Sequence, residues 1–570
     1  MTDARVVVYG QPEPMLIHLG LLQERIAGLV PDHDAVVQGD RVINHAALAA
    51  RSRRIASAVR GLGLGCRVER DGLRAWESGH DHVALLLYNG LEWIDLMYGV
   101  LKARAAFVNV NYRYKAEELH YLLENSRARA VVYHAAFAPL VAAVRDRLPA
   151  LQHLIQVDDG SGQALLPAAL DYEAWVSAAS DAMPDLRYSP DDLYVLYTGG
   201  TTGLPKGVLW RQEDVFYNGL GGHVPGFPRL QSEAQLRDHV AMGIGGRTLV
   251  CLPFMHGAGQ WAMFNSFHRG GTIVLPEETR HLDADAVWHA VERHRCDAIM
   301  VTGDGVARPL LAALQGGAYD VSSIRIVTST AAVLSRAVRD ELVAALPDGL
   351  LLFESIGASE MGLQALTNDT ESGSSGLPAY PPREGTVLLR ADRSDVLPPG
   401  TDEIGWIAST GNLPLGYLGD PEKTRETFPV VQGVRYSVGG DRGRWLPDGR
   451  LLFLGREAMC INTGGEKVFV EEVERVLKSH PAVNDALVVG TPSERWGQQV
   501  TAVVSLRPGA ASPTVEALRT HCDPHLAGYK LPKAVVTATE IARSPSGKPD
   551  YGWAKQFALD ALGAAGPSKR

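Results

Sequence analysis

The run Tyr197-Thr198-Gly199-Gly200-Thr201-Thr202-Gly203-Leu204-Pro205-Lys206-Gly207 is dense in chemistry suited to phosphate. After Tyr197, three threonines, four glycines and one lysine fall within ten residues. Glycine permits positive φ and lets the backbone approach a ligand closely. Hydroxyls, exposed N–H groups and an ammonium together make a cradle for phosphate oxygens. Pro205 stands where a Walker A loop needs the glycine before its lysine, and the glycine spacing of the Rossmann fingerprint is absent. A surface turn would explain the glycines, but not the hydroxyls and lysine that accompany them.

Other candidates sit at the ends of short apolar runs. Glu360 closes the segment Glu354-Ser355-Ile356-Gly357-Ala358-Ser359-Glu360, and Asp441 follows Gly439-Gly440. Lys548 lies in Arg543-Ser544-Pro545-Ser546-Gly547-Lys548-Pro549. Alone, each is ordinary: a surface carboxylate, a turn aspartate, a solvated lysine. At a strand end, with a phosphate loop elsewhere in the chain, Glu360 reads better as a Mg²⁺ ligand. His256 ends the buried run from Thr248, where a core histidine and a substrate-facing one are equally compatible with the pattern. In His80-Asp81-His82, adjacent residues on one loop do not readily converge on one ion, so no metal site is expected there.

These residues need a scaffold that brings strand ends together. Apolar runs at Val83 to Tyr88, Ala130 to Tyr133, Leu154 to Val157, Leu193 to Leu196, Ala298 to Thr302, Ile324 to Val327 and Leu350 to Phe353 read as strands. Helical patterns at Trp93 to Arg104, Glu117 to Asn125, Ala286 to His294 and Ser335 to Leu346 alternate with them, with Ser335 as an N-cap. That alternation predicts βα units and a mostly parallel sheet. Gly373 to Pro382 reads as a loop. Thr386 to Leu389, Gly405 to Ala408 and Gly449 to Leu454 read as an antiparallel β subdomain. Glu471 to Lys478 reads as an amphipathic helix with Glu471–Arg475 and Glu474–Lys478 pairs. A later helix is expected to start with Ser512 as cap and Pro513 first.

At 570 residues the chain is too long for one core. Apolar content of 46% and charged content of 21% are those of a globular protein. The net charge of −10 requires that any anion be held by local cations, and no basic stripe argues for nucleic acid. The five scattered cysteines form no C-x-x-C pair, which fits a reducing cytoplasm. No apolar segment approaches the ~20 residues of a membrane span, and Asp3 and Arg5 argue against a signal peptide. Residues 69–81 are polar, contain glycine and are aperiodic.

The phosphate-rich string resembles the signature of the adenylate-forming superfamily, which includes acyl-CoA synthetases, luciferases and peptide-synthetase adenylation domains. The remaining motifs follow in that family's order across nearly the whole chain, and compared with the family residues 69–81 look like an insertion. Where the family has Tyr-Gly-x-Thr-Glu, this chain has Ile356-Gly357-Ala358-Ser359-Glu360. Its Tyr436-Ser437-Val438-Gly439-Gly440-Asp441 is similar to Tyr-Arg-Thr-Gly-Asp. Ala458 replaces the usual polar hinge residue, and Gly547-Lys548 is similar to the family's closing Gly-Lys. Without the aromatic, adenine would rest on Ile356 and lose about 0.5–1.5 kcal/mol of stacking.

The resemblance implies an α/β fold: a large N-terminal adenylation domain of βα-layered sheets plus a β subdomain over 1–455, a hinge at 456–459, a small mobile α+β lid over 460–562, and a flexible tail at 563–570. It implies ATP, Mg²⁺ and CoA. The phosphates fall to Thr198, Gly199, Gly200, Thr201, Thr202 and Lys206, and Mg²⁺ to Glu360. The rest of the nucleotide falls to Thr330, Ala331, Ser355, Ile356, Gly357 and Ser359, with Asp441 and Arg456 on the ribose side. Lys548, Glu360 and Thr198 are the catalytic set. The Gly464-Gly465-Glu466 face serves the thiol step, and His256, Gly257, Gly303 and Ser329 border the acyl pocket.

The implied reaction is activation of a carboxylic acid as acyl-AMP and its transfer to CoA. The strings around Tyr197, Cys460 and Arg543 look most like actinobacterial CoA ligases for steroid side-chain carboxylates. A medium- or long-chain fatty acyl-CoA ligase, an acyl-AMP ligase that loads a carrier protein, and a nucleotide-binding regulatory protein without catalysis stay open. The partners implied are the acid, ATP and CoA, with no nucleic acid and no transmembrane segment; a homodimer is one assembly open to the chain.

Overall fold

The computed structural model describes residues 14–198, 204–223, 228–332, 334–368, 379–463, 466–493, 495–544 and 547–564. The strands that carry the site are β1 (Leu193–Thr198), β2 (Lys206–Arg211), β3 (Arg247–Val250), β4 (Ala298–Val301), β5 (Ile326–Ser329), β6 (Leu351–Ala358), β7 (Gly416–Tyr417), β8 (Ser437–Trp445) and β9 (Leu451–Arg456). Two helices recur below: α1 (Gly257–Phe267) and α2 (Val470–Lys478).

Two eight-stranded sheets form the bulk of the chain. The first runs β7-β2-β1, then Ala106–Asn109, His82–Leu86, Ala128–His134, His153–Val157 and Ala169–Asp171. Its central strands pair in parallel and are buried along their whole length, as in His82–Leu86. That is why they read as continuous apolar runs. The second sheet runs Gly362–Thr367, β6, β5, β4, β3, Thr272–Leu275, Asp34–Gln38 and Arg41–Asn44, parallel from β6 to Asp34–Gln38. On one face Leu249, Ile299, Val301 and Val327 pack under the helices Ala284–His294 and Gly303–Gly316. The other face alternates with it and opens toward α1.

A six-stranded sheet containing β8 and β9 is antiparallel in every pairing, the expected β subdomain. It ends at Arg456, followed by a three-residue turn, Glu457–Met459. A separate five-stranded sheet then begins at Ile461, with α2, Val515–Cys522 and Tyr551–Ala564 among its helices. The fold is thus α/β, with large mixed sheets and a separate C-terminal unit. No helix among the described residues is long and apolar enough to cross a membrane.

Several local expectations change. The strand expected to stop at Phe353 continues to Ala358, because it gains an antiparallel partner in Gly362–Thr367. Ala379–Tyr380, expected in a loop, pairs with Leu451–Leu452. Thr514, not Ser512, caps Val515–Cys522, its side chain accepting from Ala517 N at 3.1 Å. Ser335 occupies its cap position without a side-chain cap bond; its backbone N–H donates to Asp304 Oδ1 at 2.7 Å. On α2, Glu474 turns inward to accept from Val488 N and Tyr551 O–H, and Lys478 pairs with Asp485 at 3.2 Å. Glu474 and Lys478 thus take tertiary partners and are buried.

The trio His80-Asp81-His82 splays apart. His80 faces Asp192, Asp81 holds Arg67 and Arg129, and His82 bonds the Ser126 carbonyl. Cys66, His80 and Asp192, distant in sequence, do lie within 4.8 Å of one another. Arg104, however, donates to both Asp192 oxygens at 2.7 and 2.8 Å. Against the pull of burial, bonds from His18, His80 and Arg104 hold this carboxyl well below its ordinary range. Arg104 also grips Glu69 at both oxygens, anchoring the insertion to the first sheet.

Candidate active site

One cavity of about 1730 Å³ lies where the two large sheets, the β subdomain and the C-terminal unit meet. Thr198 enters it from the end of β1. β1 and β2 are antiparallel, with Thr198 opposite Lys206, so the phosphate-type loop is a hairpin connection. Gly199, Gly200, Thr201 and Thr202 lie outside the described residues, as do Gly464 and Gly465. Lys206 forms an ion pair with Asp420, whose carboxylate also caps the following helix by accepting from Lys423 N at 2.9 Å.

Thr330, Ala331, Ser355, Gly357, Ser359 and Glu360 line the same cavity. Ala331 has φ of +64°, a left-handed conformation that costs a non-glycine residue about 1–2 kcal/mol. The Ser359 carbonyl is fixed by the Trp210 indole N–H at 2.9 Å, and the Glu360 carbonyl by the Ser437 hydroxyl at 2.6 Å. The Tyr417 hydroxyl donates to Glu360 Oε1 at 3.0 Å. Glu360 and Thr198 thus bring a carboxylate and a hydroxyl to one cavity, an all-oxygen donor set that fits Mg²⁺.

Asp441 and Arg456 face each other across the β8–β9 pairing, with Arg456 Nε 3.2 Å from Asp441 Oδ1. Burial raises the Asp441 pKa against the pull of this guanidinium, while Asp441 raises that of Arg456. Arg456 lines the cavity, and Asp441 stands behind it. Ile356, Gly303, Ser329, Lys206 and exposed Glu466 are likewise not on its lining. Ser329 Oγ accepts the Gly303 N–H at 3.1 Å, tying β5 to the start of the helix Gly303–Gly316.

Lys548 comes from the C-terminal unit and lines this cavity. Burial lowers its pKa; Arg456 lowers it further and Glu360 raises it, so both stand close to its ammonium. Its loop rests on the second sheet's carboxyl end. A Cβ on Gly305 would lie 2.5 Å from Gly547 O and 2.8 Å from Gly547 Cα, so only glycine admits this contact. Arg308 reaches Asn484 at 3.4 Å, and Arg507 lies 3.5 Å from Glu341, adding two polar ties between the units.

Beyond His256 the cavity becomes a groove. One wall is α1, with Ala258, Trp261, Ala262 and Asn265 at helical spacing on one face and Arg269 just past its C-terminal cap. The opposite wall is the open face of the second sheet: Ala298 and Met300, Ile326 and Thr328, Leu351 and Phe353, always alternate residues. Lining extends from Gly246 and Leu351 at the amino ends of β3 and β6 to Thr330 and Gly357 at the carboxyl ends. From Gly257 to Phe267 the helix rises about 15 Å. A Cβ on Gly257 would press within 2.7 Å of Leu196, so its absence lets α1 sit close to β1. Burial, with Lys548 and Arg113, lowers the His256 pKa to about 3; its ring is neutral near pH 7 and its Nε2 has no hydrogen-bond partner.

Residues 23–415 match the model of the AMP-binding enzyme family, and residues 472–548 match that of the AMP-binding enzyme C-terminal domain. The chain belongs to the AMP-binding enzyme family. Within the family, it is 45% identical to the medium-chain acyl-CoA ligase Mig of Mycobacterium avium, over 94% of this chain and 97% of the relative. It is 39% identical to the 3-oxocholest-4-en-26-oate–CoA ligase of Rhodococcus rhodochrous, over 95% and 96%. The fold superposes on the anthranilate CoA ligase AuaEII in complex with anthranoyl-AMP with a TM-score of 0.80, at 23% identity, covering 96% and 99% of the two chains.

Sequence reasoning missed Tyr417, Trp210, Gly305 and Asn109. Asn109 accepts from Tyr197 N at 2.8 Å and donates to the Tyr197 and Met255 carbonyls at 2.9 and 2.7 Å, locking β1 to the strand end before His256. These residues act through contacts made only in the folded chain, and none belongs to a recognisable local pattern.

Proposed function

We propose that this protein is an ATP-dependent, AMP-forming acyl-CoA ligase acting on an elongated apolar carboxylic acid. The observation that carries the reading is Lys548, which lines one cavity with Glu360 and Arg456 at the mouth of a groove that begins at His256. The acid's tail lies between α1 and the sheet, leaving its carboxylate at the Lys548 end. That oxygen attacks the α-phosphorus of ATP, and pyrophosphate leaves.

Two anions must meet for this step, so alignment and charge neutralisation matter more than proton transfer. Lys548 offsets charge on the carboxylate and α-phosphate oxygens; Thr198 and Lys206 serve the β- and γ-phosphates, and Asp441 and Arg456 the ribose side. Neutral His256 and the apolar groove beyond it exclude water from the mixed anhydride. Glu360, oriented by Tyr417, would hold Mg²⁺ with Thr198; bound there, the ion supplies charge neutralisation on the phosphates. The C-terminal unit then turns about residues 456–459, withdrawing Lys548 and bringing the Gly464-Gly465-Glu466 face toward the acyl-adenylate. The CoA thiol displaces AMP.

The names of the relatives offer two tails for a groove of this length, a medium-chain fatty acid and a steroid side-chain acid. A cytoplasmic location belongs to the same proposal, supported by cysteines that are all free thiols. The test is acid-dependent release of pyrophosphate, with AMP and a CoA thioester as products. No release with any acid of either class would favour a nucleotide-binding regulatory role, and adenylation without transfer to free CoA a carrier-protein ligase.

A further inference from the structure

The far end of the groove holds a charge that the proposed reaction does not use. Arg269 follows His268, the residue that caps α1, and lines the cavity at the far end of that helix from Gly257, a rise of about 15 Å. Its Nε is buried without a hydrogen-bond partner, and its guanidinium makes no ion pair among the described residues. Burial alone lowers its pKa, with no carboxylate raising it.

Neighbouring charges are otherwise occupied. Asp297, the acid at this end, accepts from Arg247 N at 3.0 Å, while Arg247 pairs with Asp34 at 2.9 Å. Arg325 donates to the Ser322 and Ile324 carbonyls. His239, on the helix Glu233–Ala241, stands near Arg269 and can add only positive charge. The C-terminal end of α1 offsets part of the cost of burying a cation, yet leaves its donors free. Arg269 is half-buried, and a buried, unpartnered Nε carries a desolvation cost; a site built to hydrogen-bond a ligand oxygen strongly rejects ligands that lack it.

Resting on the acyl-CoA ligase reading, we propose that Arg269 determines specificity at the distal end of the substrate: the acid carries an oxygen acceptor, a ketone or a second carboxylate, at the end remote from the carboxyl that is activated. Arg269 donates N–H bonds to that oxygen, and the apolar groove between accepts the hydrocarbon. The planar fork of arginine suits either acceptor, and favours a carboxylate where both donors engage.

The experiment compares hexadecanoic acid, 15-oxohexadecanoic acid, hexadecanedioic acid and 3-oxocholest-4-en-26-oic acid, each with ATP, Mg²⁺ and CoA. The expected result is a kcat/KM about tenfold or more higher for acids with a distal oxygen than for hexadecanoic acid. In Arg269→Leu that ratio falls to near one, carried mainly by KM. Arg269→Gln keeps a neutral donor, retains the ketone preference and loses the one for the diacid, which tells the two acceptors apart. Equal turnover of plain and oxygen-ended acids by the native protein overturns the inference, as does a preference that survives in both variants. Failure of every acid to release pyrophosphate would instead remove the ligase reading beneath it.

Discussion

The Tyr417 hydroxyl donates a 3.0 Å hydrogen bond to Glu360 Oε1, joining the two-residue edge strand of the first sheet to the carboxylate suited to Mg²⁺. Partners behind a metal ligand fix its orientation, and their loss typically costs about 10–100-fold in metal affinity. Tyr417→Phe keeps the ring packed against Phe428 and removes only the bond. The half-saturating Mg²⁺ concentration for adenylation should rise by roughly that factor, with a smaller change in kcat at saturating Mg²⁺. Initial rates across a Mg²⁺ series give the answer.

Gly305 touches Gly547 only when the C-terminal unit is seated as seen here. Gly305→Ala should therefore hinder the adenylating arrangement and spare the other. Acid-dependent exchange of pyrophosphate into ATP should fall about 10–100-fold, since a displacement of ~1 Å can cost a hundredfold. Conversion of chemically prepared acyl-AMP and CoA to thioester should change little. Equal losses in both half-reactions would mean that the contact is not specific to one arrangement.

Glu471 of α2 packs against Gly455 and is buried with no hydrogen-bond partner at Oε2. Burial, reinforced by Glu474, raises its pKa from 4.5 to about 8. The folded chain thus holds the proton to higher pH than the unfolded chain does. The cost of Glu471 is absent below about pH 4.5, grows as pH rises toward 8, and is constant above that. Glu471→Gln should leave Tm nearly unchanged at pH 5 and raise it at pH 8.5, by a ΔΔG on the order of a few kcal/mol. Thermal unfolding of both proteins across that range reads the difference.

How much of this was legible beforehand depended on whether a feature is local. The βα alternation and the antiparallel subdomain follow from apolar runs and turn residues, which are properties of short segments; the separate C-terminal unit came from the family resemblance. Thr198, Glu360, Arg456 and Lys548, read from contiguous motifs, line one cavity. Ile356 shows the limit: it was expected beneath adenine, yet it lies on the strand between Ser355 and Gly357, and those two line the cavity while it does not. Strand alternation, visible only once β6 was seen to run to Ala358, decides that. Glu474 and Lys478 failed as a surface pair because Val488, Tyr551 and Asp485, each remote in sequence from one or both, offered better partners. The insertion at 69–81 carried no pattern at all, and its anchors are remote in sequence: Glu69 to Arg104, His80 to Asp192 and Asp81 to Arg129.

The central claim is that the Lys548 ammonium neutralises charge as the acid attacks ATP, and takes no part in thioester formation. Lys548→Ala should be assayed in the two half-reactions separately. Acid-dependent pyrophosphate exchange should fall about a hundred- to a thousandfold, as for loss of one oriented donor to a charged transition state, while acyl-AMP and CoA still give thioester at close to the native rate. Adenylation that survives the substitution within a few-fold would contradict the account.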